Sequence, residues 1–164
     1  MRFNTRNDLP CTLITNIIIL VSLLLLGFGI YDRAGGGKAA FVSLAILIPL
    51  IFVTWGLHPQ FYEVTRAAIR IKRPFKSIYI PLDEVTLVKP LEKGETGVLL
   101  RSFGVGGLFG YFGLFTSSKL GGLELWCTNT TDLVLIQYGK KKVVISPEEP
   151  GRFVAEVILR KSEL

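Results

Sequence analysis

The sequence predicts an N-terminal transmembrane α-helical hairpin followed by an α+β domain of about seven antiparallel strands and one C-terminal helix. Two runs of 19 residues, 13–31 and 39–57, contain no Asp, Glu, Lys, Arg or His. Apolar and polar residues then alternate in short segments between residues 68 and 145, which is typical of strands with one solvated face. After residue 146 the apolar period changes to that of a helix.

Each apolar run is long enough to cross a bilayer, because a hydrocarbon core of about 30 Å needs about 20 helical residues. The seven residues 32–38 between the runs predict a short turn between antiparallel helices. A cleaved signal peptide is the alternative for the first run, since Arg2 and Arg6 precede it. The run exceeds the usual length of about 7 to 15 residues and lacks an Ala-x-Ala site, which favours an uncleaved span.

Positive charge predicts the orientation of the hairpin. The turn contains Arg33 and Lys38, whereas seven basic residues lie near the other ends of the two runs. Loops on the cytoplasmic side are enriched in Lys and Arg. We therefore expect a multi-pass protein of the inner (cytoplasmic) membrane with both termini in the cytoplasm. The seven basic residues are Arg2, Arg6, Arg66, Arg70, Lys72, Arg73 and Lys76.

The residues divide into a membrane part, 1–57, and one compact domain, 58–164. The domain holds 15 Lys/Arg and 11 Asp/Glu, and this modest positive charge is a poor fit to nucleic-acid binding. The two cysteines, Cys11 and Cys127, form neither a disulfide framework nor a metal-binding spacing.

Alternation identifies the strands of this domain. Ile69 and Ile71, for example, alternate with Arg70 and Lys72. The polar residues 129–132 and the pair Gly139-Lys140 predict turns. The predicted strands cover 68–73, 78–82, 85–88, 98–103, 123–128, 133–138 and 143–145.

The last segment predicts a helix that closes one end of a small barrel or sandwich. Residues 146–149 have a capping-box pattern, and Pro150 disturbs the first turn, so that regular helix begins there. An apolar stripe follows on one helical face. It consists of Phe153, Val154, Val157 and Ile158.

Residues in several stretches resemble the bacterial pleckstrin-homology (PH) domain family. They are the glycine-aromatic segment 101–113, Leu120-Gly121, Thr128-Asn129, the segment 133–136, and the segment 144–150 continued to Phe153. The resemblance covers Tyr62 to about Arg160, and members of the family often carry one or two N-terminal transmembrane helices. It implies a PH-like fold and a binding-module class, and it leaves the ligand open.

The glycine-aromatic segment has two interpretations. Its glycines allow tight turns, so its rings either fill the barrel or project as an apolar wedge for the membrane or another protein. The segment lacks the full G-x-G-x-x-G spacing, which argues against nucleotide binding. The candidate apolar loop consists of Leu108, Phe109, Tyr111 and Phe112.

Basic residues are the other binding candidates. Arg66 with Arg70-Ile71-Lys72 is similar to the pattern with which eukaryotic PH domains hold phosphoinositides, although the wet face of a strand also explains it. Each basic residue close to an anionic membrane contributes about 1 kcal/mol of attraction. The candidates are Arg66, Arg70, Lys72, Arg73, Lys140, Lys141 and Lys142.

The sequence contains no catalytic constellation, since the single histidine, His58, abuts the second apolar run. We expect no enzymatic activity and no cofactor. The first hypothesis is a membrane-anchored binding or scaffold module that docks a protein partner or anionic lipid at the inner membrane surface, in a homo-oligomer or with another protein. The alternative is an accessory or stabilising subunit of a membrane complex that is recognised through its transmembrane helices.

Overall fold

The computed structural model describes residues 1–31 and 37–164. Helix α1 covers Leu9–Tyr31 and helix α2 covers Gly37–Leu57. The end of α1 contacts the start of α2, because a Cβ atom at Gly29 would lie 3.4 Å from the Cβ of Ala40. Both helices are long and apolar enough to cross a membrane. The predicted turn at 32–38 falls mostly outside the described residues.

A four-stranded antiparallel sheet contains strands from before and after the helical hairpin in the sequence. Strand β1, Arg2–Asn4, precedes α1, and it pairs with β2, Phe61–Val64, which follows α2. Strands β3, Ala68–Lys72, and β4, Ile78–Pro81, complete the order β1-β2-β3-β4. Residues before the first helix therefore belong to the same sheet as residues after the second.

The second sheet has six strands in the order β5-β9-β10-β8-β7-β6. Strands β8 and β10 run parallel, and the other neighbours are antiparallel. The C-terminal helix α3 covers Pro150–Ser162. The predicted fold class is confirmed, and the structure adds β1, β2 and β7 to the seven predicted strands. The strands are β5 Val85–Pro90, β6 Leu99–Gly106, β7 Tyr111–Ser117, β8 Gly121–Cys127, β9 Val134–Tyr138 and β10 Lys141–Ile145.

The main core lies between the two sheets, and α3 closes it. Phe153 and Val157 of α3 are fully buried against residues of both sheets, among them Tyr62, Ile69 and Ile136. A second, smaller core lies on the opposite face of the six-stranded sheet. It contains Leu91, Phe115, Leu123, Leu125, Cys127, Leu133, Leu135 and Val144.

Helix α3 begins at Pro150, as expected, but not through a capping box. Its N-cap is Glu149, whose side chain makes no capping bond within the described chain. Ser146 is instead buried, and its Oγ accepts a 2.8 Å hydrogen bond from the Thr128 amide. The hydroxyl of Ser146 thus joins the strand ends rather than the helix.

The domain contacts both the start of α1 and the end of α2. At the start of α1, Asp8 Oδ1 accepts from the Cys11 amide at 2.9 Å and from the Tyr111 hydroxyl at 3.3 Å. At the end of α2, the Phe75 amide donates to the Gly56 carbonyl at 3.0 Å. These contacts fix the orientation of the sheets relative to the hairpin.

Candidate binding surfaces

The structure separates the basic candidates into two groups. Arg66 lies in the turn between β2 and β3, and Lys140 and Lys141 lie at the turn between β9 and β10. Both turns are at the ends of strands that lead away from the helices. Lys72 and Arg73 lie at the opposite end, close to the end of α2. The candidates therefore do not converge on one site.

Several of these side chains are bound within the fold. Arg73 is buried, and its guanidinium lies 4.5 Å from the centre of the Trp126 ring, while its Nε donates to the Lys76 carbonyl at 2.6 Å. Burial lowers the pKa of Arg73. Arg70 pairs with Glu63 at 3.3 Å.

Lys142 is engaged in the same way, since its Nζ donates to the Leu120 carbonyl at 2.7 Å. The three side chains Arg70, Arg73 and Lys142 thus serve the packing of strands and turns. Arg66, Lys140 and Lys141 are exposed at the end of the domain away from the helices.

The glycine-aromatic segment forms the β6–β7 hairpin, whose turn covers residues 107–110. Leu108 and Phe112 are buried, and Phe109 and Tyr111 are half-buried. Phe112 stacks on Trp126 with ring centroids 6.2 Å apart and an interplanar angle of 3°.

The same hairpin also carries exposed apolar residues. Phe103 and Leu114 are opposed in register and are 77% and 50% exposed. Strand β6 is the terminal strand of its sheet. The segment is consequently packed on one side and apolar on its outer side.

The turn of this hairpin rests on α1 and on the residue that follows α2. The Phe109 amide donates to Thr15 Oγ1 of α1 at 2.9 Å, and a Cβ at Gly107 would lie 2.5 Å from Ile14 Cδ1. The Phe109 ring lies 5.9 Å from the His58 ring after α2. The hairpin therefore contacts helix residues beyond the point at which α1 begins.

Tyr111 connects this hairpin to the start of α1. Burial and the charge of Asp8 raise the pKa of Tyr111 to about 12, so its hydroxyl stays protonated and donates to the carboxylate. Burial also raises the pKa of the Cys127 thiol to about 12. Such a thiol is a poor nucleophile at neutral pH.

An open groove between β5 and α3 was not predicted from the sequence. It has a volume of about 440 Å³ and is lined mainly by apolar side chains of both elements. Ile158 belongs to the stripe that was expected to face the core, but it is 56% exposed at the edge of this groove. The lining residues include Leu87, Val88, Val157, Ile158 and Lys161.

Strand β5 offers a backbone edge beside this groove. It is the terminal strand of the six-stranded sheet, and no strand among residues 1–31 and 37–164 pairs with its outer side. The Lys161 ammonium donates to the Val85 carbonyl at one end of this edge. An exposed strand edge next to an apolar groove has the elements needed to bind an extended peptide.

Acidic and metal-ligating side chains of the described residues form no comparable cluster. In the described part of the chain, no group of three His, Cys, Asp or Glu side chains has a metal-binding arrangement. His58 is half-buried, and its Nδ1 contacts the Trp55 carbonyl.

Residues 60–161, more than half of the chain, match the bacterial PH domain family. This chain belongs to the bacterial PH domain family. The resemblance inferred from the sequence is thereby confirmed. PH domains are in general non-catalytic modules that bind proteins or lipids. No curated protein and no solved structure matches this bacterial PH protein.

Proposed function

We propose that this bacterial PH protein is a non-enzymatic scaffold of the inner membrane that binds an extended segment of a protein partner in the groove between β5 and α3. Its termini and its domain lie on the cytoplasmic side. The observation that carries the proposal is the exposed edge of β5 beside an apolar groove of about 440 Å³.

The two helices support membrane anchoring. With 23 and 21 residues, α1 and α2 are about 35 and 32 Å long, which is the thickness of a hydrocarbon core. In the most apolar 18-residue stretches of α1 and α2, the protein buries only 11% and 22%, respectively. The two helices are therefore not packed like core helices of a water-soluble domain. Lipid is the natural cover for the remaining surface.

The groove supports peptide binding by strand addition. A partner segment that pairs with β5 would gain main-chain hydrogen bonds, and its alternate side chains would point into the groove. Leu87 and Ile158 are 41% and 56% exposed and flank this position. An apolar side chain between them would supply specificity.

The position of the groove favours a partner in the cytoplasm over a lipid. One end of the groove, at Val85 and Lys161, lies on the side of the domain away from the helices. The nearby Leu82 amide donates to the Ala67 carbonyl, and Ala67 belongs to the β2–β3 turn on that side. A bilayer that held α1 and α2 would not reach this end.

Site-specific photo-crosslinking in native membranes tests the proposal. The full chain would carry a benzophenone amino acid in place of Ile158 or, as the matched control, in place of the adjacent Leu159. Both side chains are about half exposed, at 56% and 52%, but only Ile158 lines the groove. We expect a discrete protein adduct from position 158 and a much weaker one from position 159.

A variant with an altered groove tests whether the adduct depends on the groove. Leu87→Asp places a carboxylate in the groove, and it should abolish the adduct at position 158. An adduct with a second copy of the chain would identify a homo-oligomer as the partner. Equal adducts at 158 and 159, or an adduct that persists with Leu87→Asp, would argue against the groove as the binding site.

A further inference from the structure

The turn of the β6–β7 hairpin reaches the level of the apolar runs of the two helices. Thr15, which bonds to the Phe109 amide, is six residues into α1, or about 9 Å along its axis. Ile14 contacts Gly107 at a similar depth. Both residues lie inside the uncharged run 13–31.

The hairpin turn and α2 form an apolar groove at this depth. The groove has a volume of about 310 Å³, and all five of its lining side chains are apolar. Its deepest member, Ile48, lies nine residues before the end of α2, or about 14 Å along the helix. The lining residues are Ile48, Ile51, Phe52, Trp55 and Phe109.

The apolar surface continues from the turn along the outer side of the hairpin. Phe103 and Leu114 lie opposite each other, four residues from either end of the turn, and both are largely exposed. Transfer of such a side chain from water into an apolar phase is favourable. Continuity with the helices indicates that the apolar phase is the bilayer.

Arg101 fits the same arrangement. It lies on β6 beyond Phe103, and its guanidinium nitrogen is 3.5 Å from the position of a Cβ at Gly106, so that the side chain extends towards the turn. This contact places the charge between Phe103 and the turn, at a level where a long basic side chain would meet lipid headgroups.

We infer that the β6–β7 hairpin is a third membrane-contacting element, which inserts its turn and its Phe103–Leu114 face into the cytoplasmic leaflet. A phospholipid acyl chain occupies the groove between Phe109 and α2. This inference rests on the proposed membrane anchoring, since the depth of the turn is set by α1 and α2.

Depth-dependent fluorescence quenching tests the inference in the full chain reconstituted into phosphatidylcholine vesicles. Single cysteines in Phe103→Cys, Leu114→Cys, Ile158→Cys and Ile46→Cys variants would carry an environment-sensitive fluorophore. The native Cys11 and Cys127 are buried, and the labelled unsubstituted chain measures their background. Ile158 is a control exposed on α3, and Ile46 is a control exposed in the middle of α2.

We expect lipids brominated near the carboxyl end of the acyl chain to quench positions 103 and 114 several-fold more strongly than position 158. Quenching of position 46 by lipids brominated near the methyl end reports membrane anchoring separately. If position 46 is quenched while 103 and 114 behave like 158, the hairpin does not insert although the protein is anchored.

The remaining outcomes also decide the question. A blue-shifted fluorophore at position 103 without quenching by brominated lipid would mean that protein covers this face, and the inference would be overturned. Absence of quenching at all four positions would overturn the membrane anchoring itself. Thermal unfolding of each labelled variant shows whether it retains the native fold.

Discussion

The rings of Phe3 and Phe153 meet edge to face with their centroids 5.1 Å apart. Phe3 lies on β1 before the helical hairpin, and Phe153 lies on the helix that closes the core. Both side chains are nearly fully buried. The core of the domain is thus completed by a residue that precedes the two apolar helices in the sequence.

The fragment 58–164 should therefore be less stable than a version that retains β1. We expect a fusion of residues 1–7 through a flexible linker to 58–164 to unfold at a higher urea concentration than the fragment. Loss of a buried phenylalanine typically costs about 3–5 kcal/mol. Phe3→Ala in the fusion should remove most of the gain, and equal midpoints for fragment and fusion would show that β1 contributes nothing.

Gly56 allows the end of α2 to contact the Phe75 ring. A Cβ at Gly56 would lie 2.2 Å from two atoms of this ring, so Gly56→Ala must displace it. Because this ring is half exposed and can move aside, we expect a loss of about 1 kcal/mol, observed as a lower unfolding temperature of the full chain in detergent.

Gly27→Ala is the matched control, since a Cβ at that helical position would meet no heavy atom of the described chain within 4 Å apart from its chain neighbours and the adjacent backbone of its own helix. This substitution should be neutral or slightly stabilising. In a chain that already carries Phe75→Ala, Gly56→Ala should cause no further loss of stability. Equal unfolding temperatures for Gly56→Ala and Gly27→Ala would contradict the contact.

Gly104 and Gly113 face each other across β6 and β7 with φ angles of +135° and +122°. A Cβ at either position would lie 2.2 or 2.4 Å from a carbonyl oxygen of the opposite strand. Gly104→Ala or Gly113→Ala should cost about 1–3 kcal/mol through backbone strain and loss of pairing. Gly122→Ala on the next strand, where the described chain leaves open space, should change the unfolding temperature little.

Alkaline pH should destabilise the domain by deprotonating the buried thiol of Cys127 and the buried phenol of Tyr62. Burial raises the pKa of Cys127 from 9.0 to about 12, and it raises the pKa of Tyr62 above its ordinary value of 10.0. The unfolded chain releases these protons at lower pH than the folded chain. The stabilisation from the neutral groups is therefore complete below about pH 9 and declines as pH rises towards the folded pKa values.

The measurement is the unfolding temperature of the full chain in detergent between neutral pH and pH 11. A decline above pH 9 is expected, and Cys127→Ala should make its first part shallower. A stability that rises through this range would contradict the assigned direction of both shifts.

The sequence predicted the elements whose patterns are local. The helices follow from two uncharged runs, and strands such as Ala68–Lys72 follow from alternation. Strand β1 has only three residues and depends on its distant partner β2, so no local period reveals it. Strand β7 was hidden because glycines and aromatics in Tyr111–Ser117 obscure its alternation.

The candidate surfaces were less predictable because they depend on how distant elements meet. The groove beside Ile158 exists only where α3 lies against β5, and helical periodicity placed this residue in the core. The basic candidates lie at opposite ends of the domain. Arg66 precedes β3, whereas Lys72 and Arg73 lie where β3 ends, so the direction of this strand separates them. The glycine-aromatic segment was open to two interpretations, and the structure divides its residues between a packed and an exposed side.

The pairing of β1 with β2 also has a consequence for biogenesis. In the proposed membrane arrangement, both helices must be inserted before the two strands can meet, because a single crossing would leave the strands in different compartments. In that arrangement, the pairing of β1 with β2 would depend on correct insertion of both helices. A wrongly threaded molecule keeps an open strand edge at Tyr62, which membrane quality-control proteases could recognise.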